Sequence, residues 1–271
     1  YDVVIVGGGP SGLSAAIKLA QLFKEKKQEK SICVLEKSAE IGGHILSGNV
    51  FETTALDELI PDWKEKNAPL NVPVKKDAIK FLLNDKLSIP VPSFLMPTMK
   101  NHGNYIISLA NLCRWLAEQA ESLGVDIFPG FPAAEIIYKE GKVAGVITGD
   151  MGKDSKGNEK DSFQPGMEIF ANESTVFAEG CRGNLGKQLI KKFELDKGKD
   201  PQHYGIGFKE IWEVDNEHHS EGLVMHTNGW PLPDDTPGGS YMYHAENKQI
   251  LLGLVVPLDL SLIHISEPTR R

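Results

Sequence analysis

The chain opens on Tyr1-Asp-Val-Val-Ile-Val-Gly7-Gly-Gly9-Pro10-Ser11-Gly12, and this opening constrains the fold more than any other stretch. Val3 to Val6 is an unbroken β-branched run, the pattern of a central parallel strand buried on both faces. Gly7, Gly9 and Gly12 then spell G-x-G-x-x-G, and Leu13, Ala16, Ile17, Ala20 and Phe23 repeat at helical spacing directly behind it. Strand, glycine turn and helix occur in the order that seats a dinucleotide phosphate. Gly7 permits the tight turn, Gly9 lets the backbone approach the anion, and Gly12 lets the helix pack on the strand. The free N–H groups of the first helical turn, including those of Pro10-Ser11-Gly12 that exist, face the phosphate.

A second strand is predicted over Ser31–Leu35 and ends in Glu36. A carboxylate at that point accepts ribose hydroxyls and repels a 2′-phosphate, so an adenosine ribose lacking that phosphate is expected. Glu36 falls somewhat later than the usual ~20 residues after the glycines. The charged run Lys24 to Lys30 accounts for the delay as a solvated helix end. After Glu36-Lys37 a second glycine pair, Gly42-Gly43, leads into His44-Ile45-Leu46-Ser47-Gly48, where backbone must again pass close to something.

Composition excludes several function classes. A formal net charge of −8 and a pI near 5.5 argue against nucleic-acid binding and against electrostatic capture by anionic lipid. Cys33, Cys113 and Cys181 are widely separated, with no C-x-x-C pair, and read as neither a disulfide framework nor a metal site. Cys33 reads as a buried strand residue. No apolar run approaches the ~20 residues of a spanning helix.

Residues 49–86 read as irregular apart from one helical turn at Ala55–Ile60. Ser88–Met99 is apolar, proline-studded and almost uncharged, either an extended buried loop or an exposed apolar surface. A long helix follows with Leu109, Leu112, Leu116, Ala120 and Leu123 on one face, closed by Gly124. Val125–Phe128, Ala133–Tyr138, Val143–Ile147 and Met167–Phe170 are predicted strands that together form a small β-meander, with a polar loop at Asp150–Gly166 before the last of them. Thr175–Ala178 is a short strand ending at Glu179-Gly180, with a helix to about Phe193 behind it. Beyond Lys197, strands are predicted at Ile206–Val214, Leu223–His226, Ser240–His244 and Gln249–Val256, an antiparallel sheet.

Several longer motifs, Asn101-His-Gly-Asn-Tyr-Ile-Ile, Trp115-Leu-Ala-Glu-Gln-Ala-Glu, Phe177-Ala-Glu-Gly180, His226-Thr-Asn-Gly-Trp-Pro and Gly238-Gly239-Ser-Tyr-Met-Tyr-His, resemble the electron transfer flavoprotein-ubiquinone oxidoreductases, within the glutathione-reductase-like flavoproteins. The similarity runs from Tyr1 to about Asp259, less than half of that family's usual length. It implies an α/β fold: a Rossmann-like FAD-binding domain with a β-meander, joined to an antiparallel-sheet (α+β) quinone domain cut short at its C-terminal side. The implied boundaries are 1–196 for the FAD domain, with a membrane-facing Pro-rich insertion at about 87–100, and 197–259 for the quinone domain. Residues 260–271 do not match the family's continuation and resemble a non-native tail.

The resemblance further implies a peripheral flavoprotein of the mitochondrial inner membrane, matrix side, or of the bacterial cytoplasmic membrane. It would take electrons from reduced electron transfer flavoprotein and pass them to ubiquinone. FAD and, in the full-length family, a 4Fe-4S cluster are the implied cofactors. Gly7, Gly9, Pro10, Ser11, Gly12, Glu36, Lys37, Gly43, His44, Ile45, Leu46, Ser47 and Gly180 are carried over to FAD, and Gly238 and Gly239 to the quinone head group. No catalytic acid-base residue is implied. The family usually has tyrosine before the glycine pair, where this chain has Pro237. A cluster takes four cysteine thiolates, more than the three cysteines here can supply. Two other readings fit the Rossmann start: a related reductase or monooxygenase of the geranylgeranyl-reductase kind, which would oxidise NAD(P)H, and a nucleotide-binding fragment without activity.

Overall fold

The computed structural model describes residues 1–258 with the exception of Ser47, Ser155 and Asp234; the tail expected over 260–271 lies outside the described residues. The chain divides into two compact units, one of residues 1–45 and 109–199, the other of 46–108 and 200–271. Helices α1 (Pro10–Glu25), α2 (Thr54–Leu59), α3 (Leu109–Ser122) and α4 (Asn184–Phe193) are the α-helices among the described residues.

The first unit is built on a four-stranded parallel sheet in the order Ser174–Phe177, Val3–Val6, Ile32–Glu36, Asp126–Pro129. Its two central strands are apolar at consecutive positions because both faces are covered, and Val3 to Val6 are all buried. Helix α1 turns Gly12, Leu13, Ala16, Ile17 and Ala20 inward and packs beside α3. On the other side, Val4, Val6, Cys33 and Leu35 share a core with Val146 of the meander and Leu185 of α4. The meander itself is a three-stranded antiparallel sheet, Glu168–Phe170, Lys142–Thr148 and Ala133–Lys139; the first strand expected in it, Val125–Phe128, instead pairs in parallel with Ile32–Glu36 at the edge of the four-stranded sheet. The polar stretch expected as a loop contains a hairpin, Met151–Lys153 with Glu159–Gln164, six of whose nine strand residues are exposed. Its missing apolar alternation explains why the pattern does not announce strands.

The second unit carries a six-stranded sheet in the order Gly205–Glu213, Gln249–Pro257, Gly239–His244, Leu223–Gly229, Lys76–Leu82, Ser88–Pro90. The first four are antiparallel as expected. Residues 46–108, expected in the first domain and largely irregular, belong instead to this unit, because Lys76–Leu82 pairs in parallel with Leu223–Gly229 over seven positions. Lys76, Asp77 and Lys80 interrupt the apolar pattern of that strand and hide it. A small sheet of Asn49–Phe51, Tyr105–Ile107 and Val72–Pro73 lies in the same unit. Val72, Val74 and Ile106 from this region form one core with Val224, Tyr243 and Leu251.

The Gly205–Glu213 strand is an edge of the six-stranded sheet and leaves Ile206, Phe208, Ile211 and Trp212 each at least 40% exposed. The Pro-rich stretch forms the opposite edge strand and two 3-10 turns, Ser93–Leu95 and Pro97–Met99, with Phe94 73% and Leu95 62% exposed.

Candidate functional site

The first unit contains a cleft of about 630 Å³, in the range of small-molecule sites, where the glycine turn, the end of the second strand and the Ala178–Asn184 loop converge. The three glycines of the motif are used differently. Gly7 has φ +109°, and a Cβ there would lie 2.4 Å from the Ala178 carbonyl oxygen. At Gly12 a Cβ would lie 2.0 Å from the Gly7 carbonyl oxygen, so the helix sits on the turn as the motif requires. Gly9 is different: a Cβ there would meet nothing within 4 Å, and the residue borders the cleft. Two glycines therefore close the fold and the third keeps space open.

Gly9 is the N-cap of α1, Pro10 occupies the first helical turn, and no side chain caps this end. The uncapped start borders the cleft at Gly9, Pro10 and Ser11. Glu36 stands beside it. Its Oε2 accepts the Gly8 N–H at 2.8 Å and its Oε1 accepts the Ser38 N–H at 2.8 Å. Each carboxylate oxygen retains a further lone pair for a ligand hydroxyl. The geometry fits a dinucleotide: open space at Gly9, an uncapped helix start and an oriented acceptor beside it.

Of the other residues singled out by the sequence, Lys37, His44, Ile45 and Gly180 line the cleft. Gly43 does not; its hypothetical Cβ would press on Ser38 Oγ at 2.4 Å, so it serves the turn. Leu46 is 68% exposed and belongs to the second unit, and Ser47 lies outside the described residues. Gly238 and Gly239 are in the second unit as well. Gly238 has φ +150° and its carbonyl accepts from Asn228 Nδ2 at 3.1 Å, while a Cβ on Gly239 would lie 2.3 Å from the Thr227 carbonyl oxygen. Backbone crowding therefore demands both glycines.

Sequence reasoning passed over Glu179. Its Oε1 accepts the N–H groups of Asn184 (3.0 Å) and Leu185 (3.2 Å), and its Oε2 accepts that of Gly186 (2.7 Å). A side chain five positions before a helix start lies outside the usual capping patterns; the available signal was an acidic residue in a loop holding Gly180 and Gly183.

Burial pushes the Cys33 thiol up to about 12 and the Cys113 thiol up to about 11, while Cys181 is exposed. Among the described residues there is no group of three or more His, Cys, Asp or Glu placed to hold a metal ion. Among them, too, no helix is long and apolar enough to cross a membrane.

Comparison with known proteins agrees with this geometry. Residues 5–60 match the model of an NAD(P)-binding Rossmann-like domain, and residues 204–268 match that of the ubiquinone-binding domain of ETF-QO. The latter match runs into the segment expected as a non-native tail. Among solved structures, a geranylgeranyl bacteriochlorophyll reductase-like protein of Thermoplasma acidophilum is similar over 98% of this chain and 59% of its own, with TM-score 0.64 and 18% identity. The flavin-dependent halogenase CmlS is similar over 94% of this chain and 41% of its own, with TM-score 0.62 and 16% identity. These likenesses establish the fold.

The electron transfer flavoprotein-ubiquinone oxidoreductase of Pseudomonas aeruginosa is 58% identical over 98% of this chain and 49% of its own length. The mitochondrial proteins of that name from Arabidopsis thaliana and Mus musculus are 50% and 49% identical, over 96% and 98% of this chain and 40% and 43% of theirs. The chain thus spans about half the length of the curated relatives it matches. Over that span, it belongs to the electron transfer flavoprotein-ubiquinone oxidoreductase family.

Proposed function

We propose that the cleft of the first unit holds FAD, and that the chain is part of an oxidoreductase that passes electrons from reduced electron transfer flavoprotein to ubiquinone. The observation that carries the reading is the open space at Gly9 beside an uncapped α1 start, with Glu36 fixed against the adjacent Gly8. Gly7, Gly9, Pro10, Ser11 and Gly12 form the diphosphate seat, in which α1 backbone donors meet the anion. Glu36 accepts ribose hydroxyls and disfavours a 2′-phosphate by charge repulsion. Lys37, His44, Ile45 and Gly180, which line the cleft, complete the cofactor contacts. Bound FAD supplies the exchange of electrons one or two at a time; the protein supplies orientation and surroundings.

Gly238 and Gly239 are the proposed quinone contacts, presented by backbone that Asn228 holds in place. The first domain of this reading carries the cofactor and the second the quinone, with the quinone domain assembled from residues 46–108 and 200–258. The 4Fe-4S cluster belongs, in this reading, to the part of the relatives' length that this chain does not span. The buried, protonated thiols of Cys33 and Cys113 do not suit it. Peripheral contact with the mitochondrial inner membrane, matrix side, or the bacterial cytoplasmic membrane is assigned to the exposed apolar residues Leu83, Leu87, Ile89, Phe94 and Leu95.

The test is the visible absorbance spectrum of the purified chain after incubation with FAD and removal of unbound flavin. A retained, protein-shifted flavin band is expected. A colourless protein would remove the cofactor site from this chain.

A further inference from the structure

The cleft is bordered by the starts of two helices, and they are finished differently. Helix α1 begins without a side-chain cap, at Gly9. Helix α4, ten residues long, has no cap from its own N-cap residue Gly183, but its first turn is closed by the carboxylate of Glu179 through three backbone N–H groups. Both starts touch the same cleft, the first through Gly9, Pro10 and Ser11 and the second through Gly183 and Asn184. A helix start attracts anions through its free amides and its positive dipole end. Left alone, this cleft would offer two seats of that kind.

Resting on the FAD reading, we propose that Glu179 is a specificity-determining residue of the cleft: its charge fills the α4 start, so a dinucleotide places its diphosphate against α1 alone. The loop is shaped to hold it there. Gly180 takes φ +84°, and Gly183 has no room for a side chain, since a Cβ would stand 2.6 Å from Glu179 Cβ and 2.5 Å from Oε2. A ligand anion arriving at α4 meets amides already donating to a carboxylate and a like charge that repels it. The ligand's direction in the cleft follows, with the phosphates toward α1 and the uncharged rings free to lie toward Gly180.

The test uses inorganic pyrophosphate and ADP as probes, titrated calorimetrically into the full chain. The wild-type chain is expected to take one pyrophosphate, displaced by ADP. Glu179→Ala is expected to take two, of which ADP displaces the first and leaves the second. Circular dichroism reports whether α4 survives. If alanine lowers the helicity, Glu179→Gln, which keeps one accepting oxygen and removes the charge, is expected to show the second equivalent with the helix intact. A folded Glu179→Gln chain that still takes a single pyrophosphate would overturn the proposal while leaving the FAD reading in place. A wild-type chain that takes neither pyrophosphate nor FAD would overturn the FAD reading and this proposal with it.

Discussion

The Glu36 carboxylate accepts the Gly8 N–H at 2.8 Å, joining the end of the second strand to the middle of the glycine turn. The same side chain holds the Ser38 N–H, so one carboxylate sets the position of two backbone segments around the cleft. Glu36→Ala leaves both amides without that partner, and an unsatisfied, partly buried donor costs about 1–3 kcal/mol. The variant is expected to melt several degrees lower and to bind FAD at least tenfold more weakly, by thermal melting and by flavin fluorescence quenching. Unchanged FAD affinity in a folded variant would separate Glu36 from the ribose.

The glycines of the motif predict a contrast. Gly9→Ala places its Cβ in open space at an ordinary negative φ, so the melting temperature is expected to stay within a few degrees while FAD binding is lost. Gly12→Ala drives a Cβ to 2.0 Å from the Gly7 carbonyl oxygen, and overpacking of this kind costs ~1–3 kcal/mol or more. The second variant is expected to lose stability before any question of binding arises. Parallel melting curves and FAD titrations on the two variants check this.

Thiol chemistry should divide the cysteines. A thiol-reactive chromophore at neutral pH is expected to label Cys181 at once, and Cys33 and Cys113 only after denaturation, because the latter two are buried. Their folded-state ionisation is pushed up, to about 12 and about 11, while the unfolded thiols ionise near ~8.5. The unfolded chain then binds fewer protons than the native one once pH exceeds that value, so stability is full below it and falls from about pH 8.5 through about 12. Cys33→Ala and Cys113→Ala together should flatten that part of the denaturation-versus-pH curve.

The Gly205–Glu213 strand, an edge of the six-stranded sheet, carries Phe208 at 59% and Trp212 at 54% exposure. Such an edge templates further pairing. The chain on its own is expected to scatter light and bind a hydrophobic dye, and Phe208→Lys with Trp212→Lys is expected to reduce both. Monodisperse wild-type chain with no dye binding would contradict this.

The sequence made the first unit legible because its signals were local: β-branched run, glycine turn and helical stripe adjoin one another between Val3 and Phe23. Glu36 could be placed as well, since a strand end carries its own pattern. Glu179 could not, because its role depends on a loop bending the carboxylate back to amides five to seven residues on. The Lys76–Leu82 strand was hidden for another reason. Its partner, Leu223–Gly229, lies far along the chain, and its charged residues blur the period-two alternation that marks a strand.

That distant partnership has a consequence for synthesis. Lys76–Leu82 emerges from a ribosome long before Leu223–Gly229, and Val3–Val6 likewise waits for Ser174–Phe177. At ~5–20 residues per second, each waits on the order of ten seconds for its neighbour. Neither unit can finish its sheet while the first half of the chain is alone, so the nascent protein carries two incomplete sheets at once. Slowing elongation between residues 82 and 223 would lengthen that vulnerable interval, and chaperones that shield bare strand edges would matter most within it.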